Sequence, residues 1–408
     1  MNHLSPDGYI LLGTRLVRMF AYGFLSVVFV LYLAQLGLGE RLIGLMLSLT
    51  LIGDAAVSLW MTTNADSLGR RRVLVVGAGL MLFAAALFAL TDKLILLLIA
   101  AIIGVISPSG YEVGPFLPVE QAALSQIVHE DRRTQVFAWY NLAGSFATAA
   151  GALGGGILSQ TLQQIGVLPL NSYRTVVIVY GAIGLLLAVL FTRLSSSVEA
   201  THSDPAIPRY RLGLHQSRGV VLKLSALFGL DAFAGGFVVQ SLVAYWFQVR
   251  FRVDPATLGG IFFGANILAG ISALAAAQVA ARIGLVKTMV FTHLPSNFLL
   301  IAVPLMPNLL LATLVLFIRF SISQMDVPPR QAYTMAVVAP EERSAAAGVT
   351  GIARSVGAAI SPGIAGAFLS NPLWFGAPFF VAGGLKVVYD LLLYRTFARS
   401  EGPKTIDR

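Results

Sequence analysis

Apolar residues run through this chain in long blocks, and polar residues cluster in the short gaps between them. Twelve blocks approach or exceed the ~20 residues that cross a bilayer as a helix. They lie near 9–36, 40–63, 73–91, 94–125, 134–161, 174–194, 219–249, 256–281, 286–306, 309–338, 344–369 and 374–397. Lipid offers no hydrogen-bond partners, so open strands would leave backbone groups unpaired and each block is predicted to be a helix. The fourth and tenth blocks are the least regular. One contains Ser107-Pro108-Ser109-Gly110 and Gly114-Pro115, the other Pro328-Pro329. Such breaks within a span face protein or a water-filled cavity.

Composition agrees with this pattern. The 408 residues are 57% hydrophobic and 12% charged, against about 25% charged in a soluble domain. The net charge of +9 does not point to nucleic acid, because the basic residues sit in loops between spans. There they act as topology determinants and contacts for anionic lipid headgroups. The even-numbered connections and the termini hold 17 Lys and Arg, and the odd-numbered connections hold five: Arg41, Lys93, Arg174, Arg250 and Arg252. Both termini are therefore expected in the cytoplasm of a cell (inner) membrane protein. No cleavable leader is expected, since Met1 to Asp7 lacks a basic leader and the first block carries Arg15 and Arg18. The stretch 193–223, rich in Ser, Pro, His and Arg, divides the spans six and six. It predicts a cytoplasmic linker between an N-terminal bundle (1–192) and a C-terminal bundle (224–408).

The two halves echo one another. A shift of 210 positions lays Pro118-Val119-Glu120-Gln121-Ala122 on Pro328-Pro329-Arg330-Gln331-Ala332, and Glu130-Asp131-Arg132-Arg133 on Pro340-Glu341-Glu342-Arg343. Between spans two and three, Thr62 to Val73 concentrates Asp66, Gly69, Arg70, Arg71 and Arg72. Three arginines there mark a cytoplasmic loop, and Gly69 supplies freedom for a tight turn. An acid, two spacers, Gly and then basic residues at this place resembles the signature loop of the major facilitator superfamily. Thr62 and Ser67 stand where that loop often has Gly and a basic residue. Ala281-Arg282-Ile283-Gly284 echoes the loop in the second half, with its acid replaced. Span five carries Gly151-Ala152-Leu153-Gly154-Gly155-Gly156. It resembles a motif of drug–proton antiporters, with Ala152 in place of Pro, although close helix packing explains it more simply.

The resemblance implies two pseudo-symmetric six-helix bundles, all α, with the substrate site between the halves near the midplane. It implies that spans one, four, seven and ten line the cavity, and that Asp66, Gly69 and Arg70 gate it. Asp66 is expected against the start of span eleven, near Ser344.

Ionisable groups inside spans cost about 2.5–3.5 kcal/mol each even on the mildest scale, and so mark function or internal pairing. The candidates are Arg15, Arg18, Asp54, Glu112, Glu120, Asp231, Arg319, Asp326, Arg330 and Arg354. Arg18 and Asp54 both lie about 14 Å deep and are close enough in depth to pair. On span ten, Arg319, Asp326 and Arg330 fall within about 40° of one stripe, which is expected to face the cavity. Glu120 and Arg330 occupy matching repeat positions with opposite charge, which suggests a gating pair at the inner mouth. Glu112 and Asp231 have no close partner in sequence and are expected to carry protons. His293 is expected to be structural.

There is no cysteine, zinc-ligand spacing, Walker loop or nucleophile elbow, so neither metal, cofactor nor ATP use is expected, and no enzymatic activity. The expectation is a monomeric secondary transporter exporting a small organic solute by alternating access, coupled to protons. The alternatives are proton-coupled uptake of an organic anion, and a transporter-like receptor that binds without translocating.

Overall fold

The computed structural model describes residues 5–199, 214–339 and 342–398. Among them every regular element is helical: α1 (Pro6–Ser26), α2 (Phe29–Gln35), α3 (Glu40–Thr63), α4 (Ala65–Leu68), α5 (Arg70–Leu90), α6 (Leu94–Ile103), α7 (Phe116–Ile127), α8 (Glu130–Gln164) and α9 (Pro169–Thr192). After the linker come α10 (Arg218–Gly236), α11 (Gln240–Phe251), α12 (Pro255–Ile283), α13 (Leu285–Ala302), α14 (Leu309–Phe320), α15 (Val327–Ala336), α16 (Arg343–Leu369) and α17 (Ala377–Phe397), with a few single 3₁₀ turns between helices.

Nine helical stretches among the described residues are long and apolar enough to cross a bilayer, ten when the α1–α2 pair, bent by 41°, counts as one. The other two blocks are four and ten, where apolar half-spans α6 and α14 lead into α7 and α15. The breaks follow from composition. In block four, Gly110 and Gly114 take φ values of +72° and +77°. In block ten, Pro328 and Pro329 lie in the first turn of a new helix, where a missing N–H costs least. Large apolar side chains such as Ile178, Phe298 and Leu310 are exposed along the spans, as suits side chains solvated by lipid.

The structure divides into two compact units. The first contains the described residues up to 199 with 239–266; the second contains 214–238 with 267–398. In the first, α1 packs closely on α8, because a Cβ on Gly151 or Gly155 would collide with the carbonyl of Phe20 or Phe24. The Gly-rich stretch of span five thus serves helix packing. In the second unit the corresponding pair is α10 on α16, with Gly357 against the Gly229 carbonyl. Gly69 and Gly284, the glycines of the two echoing loops, both open a helix from a left-handed φ, +93° and +90°. The internal repeat therefore appears in turn geometry as well as in residue type. Linker residues 200–213, together with Pro340 and Glu341 of the repeated loop, lie outside the described residues.

Candidate functional site

Each unit holds a buried cluster of charges. In the first, α1 supplies the cations. Arg18 bonds Glu120 of α7 through both terminal nitrogens, at 2.6 and 2.7 Å, and both side chains are fully buried. Its Nε donates to Glu112 at 2.9 Å, and Arg15 also pairs with Glu112. Tyr140 and Thr14 donate to Glu120. The guanidinium of Arg15 lies over the Tyr140 ring, and that of Arg18 over the Phe116 ring. Two arginines face two glutamates, so the cluster is neutral. Desolvation alone would make these charges costly, and the bidentate geometry offsets that cost.

In the second unit the polarity reverses. Asp231 of α10 accepts from Arg330 of α15 at 3.0 Å and from Lys386 of α17 at 2.5 Å. Arg330 also lies 3.2 Å from Asp326, one turn earlier. His293 Nδ1 sits 2.8 Å from Asp390, which also accepts from Asn297 at 2.8 Å.

These contacts revise several sequence-based pairings. Arg18 meets Glu112 and Glu120, while Asp54 accepts from the Gly114 backbone N–H at 2.7 Å. Glu120 and Arg330 each find their ion partner within their own unit. The single stripe on span ten does not exist, because the helix ends at Phe320 and restarts at Val327, placing Arg319 and Arg330 on different helices. The guanidinium of Arg319 lies over the Phe320 ring. Glu112 and Asp231, isolated in sequence, each meet two cations.

Lys386 and Asp390 were absent from the candidates read from sequence. An acid four residues after a lysine in the last apolar block was a visible signal. Their partners, Asp231 and His293, lie about a hundred residues or more away in sequence.

At the signature loop, Asp66 pairs with Arg70 Nε at 2.8 Å. The N–H groups of Arg70 and Arg71 donate to Glu199 at 2.6 and 3.3 Å. Arg70 further reaches Gln126 and the Val198 carbonyl. Glu199 thus places a negative charge at the positive end of α5. In the second unit Glu342 does the same for α10, accepting from the N–H groups of His215, Gln216 and Ser217 at 2.5, 2.8 and 2.8 Å. Desolvation opposes the charge of Glu342, but these three donors outweigh it and hold the carboxyl down at about 2. The side chain of Ser344, expected near Asp66, lies outside the described residues.

No group of three or more metal-ligating side chains occurs among the described residues. Among the described residues every regular element is helical, as the resemblance of the signature loop implied. The sequence profile of the Major Facilitator Superfamily matches residues 11–362. The chain belongs to the major facilitator superfamily.

An uncharacterized membrane protein of Saccharomyces cerevisiae, YJR124C, is 29% identical over 95% of this chain and 93% of its own length. The uncharacterized MFS-type transporter YceJ of Bacillus subtilis is 23% identical over 41% of this chain and 42% of its own length. Among solved structures, a bacterial homolog of the human lysosomal transporter Spinster, inward-facing and occupied, matches with a TM-score of 0.76. It is 14% identical, with 97% of this chain and 98% of that chain covered. A bacterial homologue of the iron transporter ferroportin matches with a TM-score of 0.71 at 14% identity, covering 95% and 98%. These likenesses establish the major facilitator fold, and membership of the superfamily makes the chain a multi-pass membrane protein of the secondary-transporter class.

Proposed function

We propose that this major facilitator protein exports a small organic solute across the cytoplasmic membrane in exchange for protons. The observation that carries this reading is the pair of buried ion clusters, each joining the first span of a unit to its broken fourth span. Charges kept at such cost inside a membrane are characteristic of ion and substrate pathways. The sequence halves 1–192 and 224–408, joined by the linker 193–223, would be the bodies that alternate, with both termini cytoplasmic. Arg18, Asp54, Glu112, Asp231, Arg319 and Asp326 form the proposed substrate and proton pathway. Asp66, Gly69, Arg70, Glu120 and Arg330 form the proposed gating set, in which Glu120 and Arg330 anchor the fourth span of each unit to its first. The protein would act as a monomer in contact with lipid.

The test is reconstitution of the purified protein in vesicles containing a pH-sensitive dye, screened against a library of organic solutes under an imposed pH gradient. At least one solute should move against its own gradient together with a dye response, and a protonophore should abolish both. Solute movement that only equilibrates, with no proton flux, would contradict proton coupling. Binding without any translocation would leave a receptor.

A further inference from the structure

Among the described acids deep in the spans, Asp54 alone has no Lys, Arg or His within salt-bridge distance. Glu112 and Glu120 have Arg15 and Arg18, Asp231 and Asp326 have Arg330, and Asp390 has His293. What Asp54 does contact is specific. Its Oδ1 accepts from the N–H of Gly114 at 2.7 Å, and Ser58, one turn later on α3, donates to the carbonyl of the same Gly114 at 2.9 Å. Span two therefore clamps one residue of the broken span through both its N–H and its carbonyl. That residue has a φ of +77°, a conformation suited to glycine. The clamped residue lies two positions from Glu112, the carboxylate shared by Arg15 and Arg18. Gly53, beside Asp54, brings α3 against the Ile102 backbone at the end of α6, with no room for a Cβ.

We propose that Asp54 is the binding site of the coupling proton, and that its charge sets how firmly the segment 104–115, with Glu112, is latched to span two. An ionised carboxylate accepts a backbone N–H about twice as strongly as a neutral acceptor does. When Asp54 takes up a proton, its bond to Gly114 weakens and the Ser58 bond remains. The segment carrying Glu112 then holds less tightly, and the Arg15–Glu112–Arg18 bridge is free to rearrange. The proton adds to a carboxylate oxygen and leaves from the same oxygen, so no other reactant is required.

The groups around Asp54 suit this role. Tyr22 of α1 and Tyr180 of α9 lie within electrostatic reach. Each uses its hydroxyl on the same segment, Tyr22 donating to the Val113 carbonyl at 3.1 Å and Tyr180 to the Val105 carbonyl at 2.6 Å. The segment itself carries the ionisable side chains Tyr111 and Glu112, and the charge of Glu112 is matched by Arg15 and Arg18. Asp54 is half-buried, whereas Glu120 is fully buried.

The latch takes its meaning in transport from the proton-driven reading above, but its test needs no substrate. Amide hydrogen exchange at Gly114 is followed in the full-length protein in lipid nanodiscs from about pH 4 to about pH 9, corrected for intrinsic rates. In the wild type, protection of Gly114 should fall about fivefold as the pH is lowered through the titration of Asp54. Asp54→Asn should hold the low value at every pH, whereas Ser58→Ala should lower protection throughout and keep the step. Infrared spectra of wild-type protein carrying isotope-labelled aspartate should show a protonated-carboxyl band rising at the same midpoint, a readout that survives if Asp54→Asn fails to fold. A wild-type protein with no step, or an Asp54→Asn variant that keeps it, overturns the latch. Either result leaves the vesicle experiment to decide proton-driven transport on its own.

Discussion

The ion clusters of the two units solve one problem with opposite signs. In the first unit, a cation on the first span (Arg18) holds an acid on the fourth (Glu120). In the second, an acid on the seventh span (Asp231) holds a cation on the tenth (Arg330). Glu120 and Arg330 are repeat-equivalent, 210 positions apart. Their partners, Arg18 and Asp231, are 213 apart, so the second partner sits nearly one helical turn further along. The repeat has preserved the tie between the spans and not the residues that make it. The surroundings differ as well. The first cluster is closed, with two arginines on two glutamates, and depends heavily on Arg18. The second branches to Lys386, His293 and Asp390, so Asp231 has a second cation in reach.

That difference sets the expected sizes of single substitutions. Arg18→Met leaves Glu120 fully buried without its ion partner and should cost about 3–5 kcal/mol of stability. Lys386→Met leaves Asp231 with Arg330, and its cost should be about 1–3 kcal/mol. Thermal unfolding of purified protein in one detergent would compare them. Equal losses would mean that Arg330 does not share the load on Asp231.

A smaller contrast lies at the helix starts, where Glu199 caps α5 and Glu342 caps α10. The carboxyl of Glu342 is held at about 2, below its ordinary 4.5. A lowered carboxyl contributes stability above its ordinary value and loses it as the pH falls through the lowered one. Exchange protection across 214–221 should therefore be weaker in Glu342→Gln than in wild type at neutral pH. The two should converge as the pH drops from about 4.5 toward about 2. A constant gap down to the acid limit would show that the cap acts through its shape and not its charge.

Much of the fold was legible in sequence because its signals are local. Apolar runs of span length, the Pro and Gly breaks in blocks four and ten, and the turn at Gly69 depend on neighbouring residues. The bend after Ser26 was less legible, because no Pro or Gly stands between Phe24 and Leu36 to mark it. Most ion pairs were not legible either. Arg18 to Glu120, Asp231 to Lys386 and Arg70 to Glu199 join residues about a hundred positions or more apart. Charge alone cannot choose among such partners. Matching Glu120 to Arg330 by repeat position and sign was reasonable for isolated residues, and it overlooked that each had an opposite charge within its own unit. The repeat shows which positions correspond, whereas the packing of spans one on four and seven on ten decides which charges meet.

The most direct test of this pairing is a comparison of two charge swaps by thermal unfolding. Exchanging within a unit, Arg18→Glu with Glu120→Arg, should give a protein more stable than either single variant, with a coupling above about 1 kcal/mol. Exchanging across units, Glu120→Arg with Arg330→Glu, places a cation beside Arg18 and an acid beside Asp231, so its two losses should add with no recovery. Rescue by the second swap and not by the first would contradict the account.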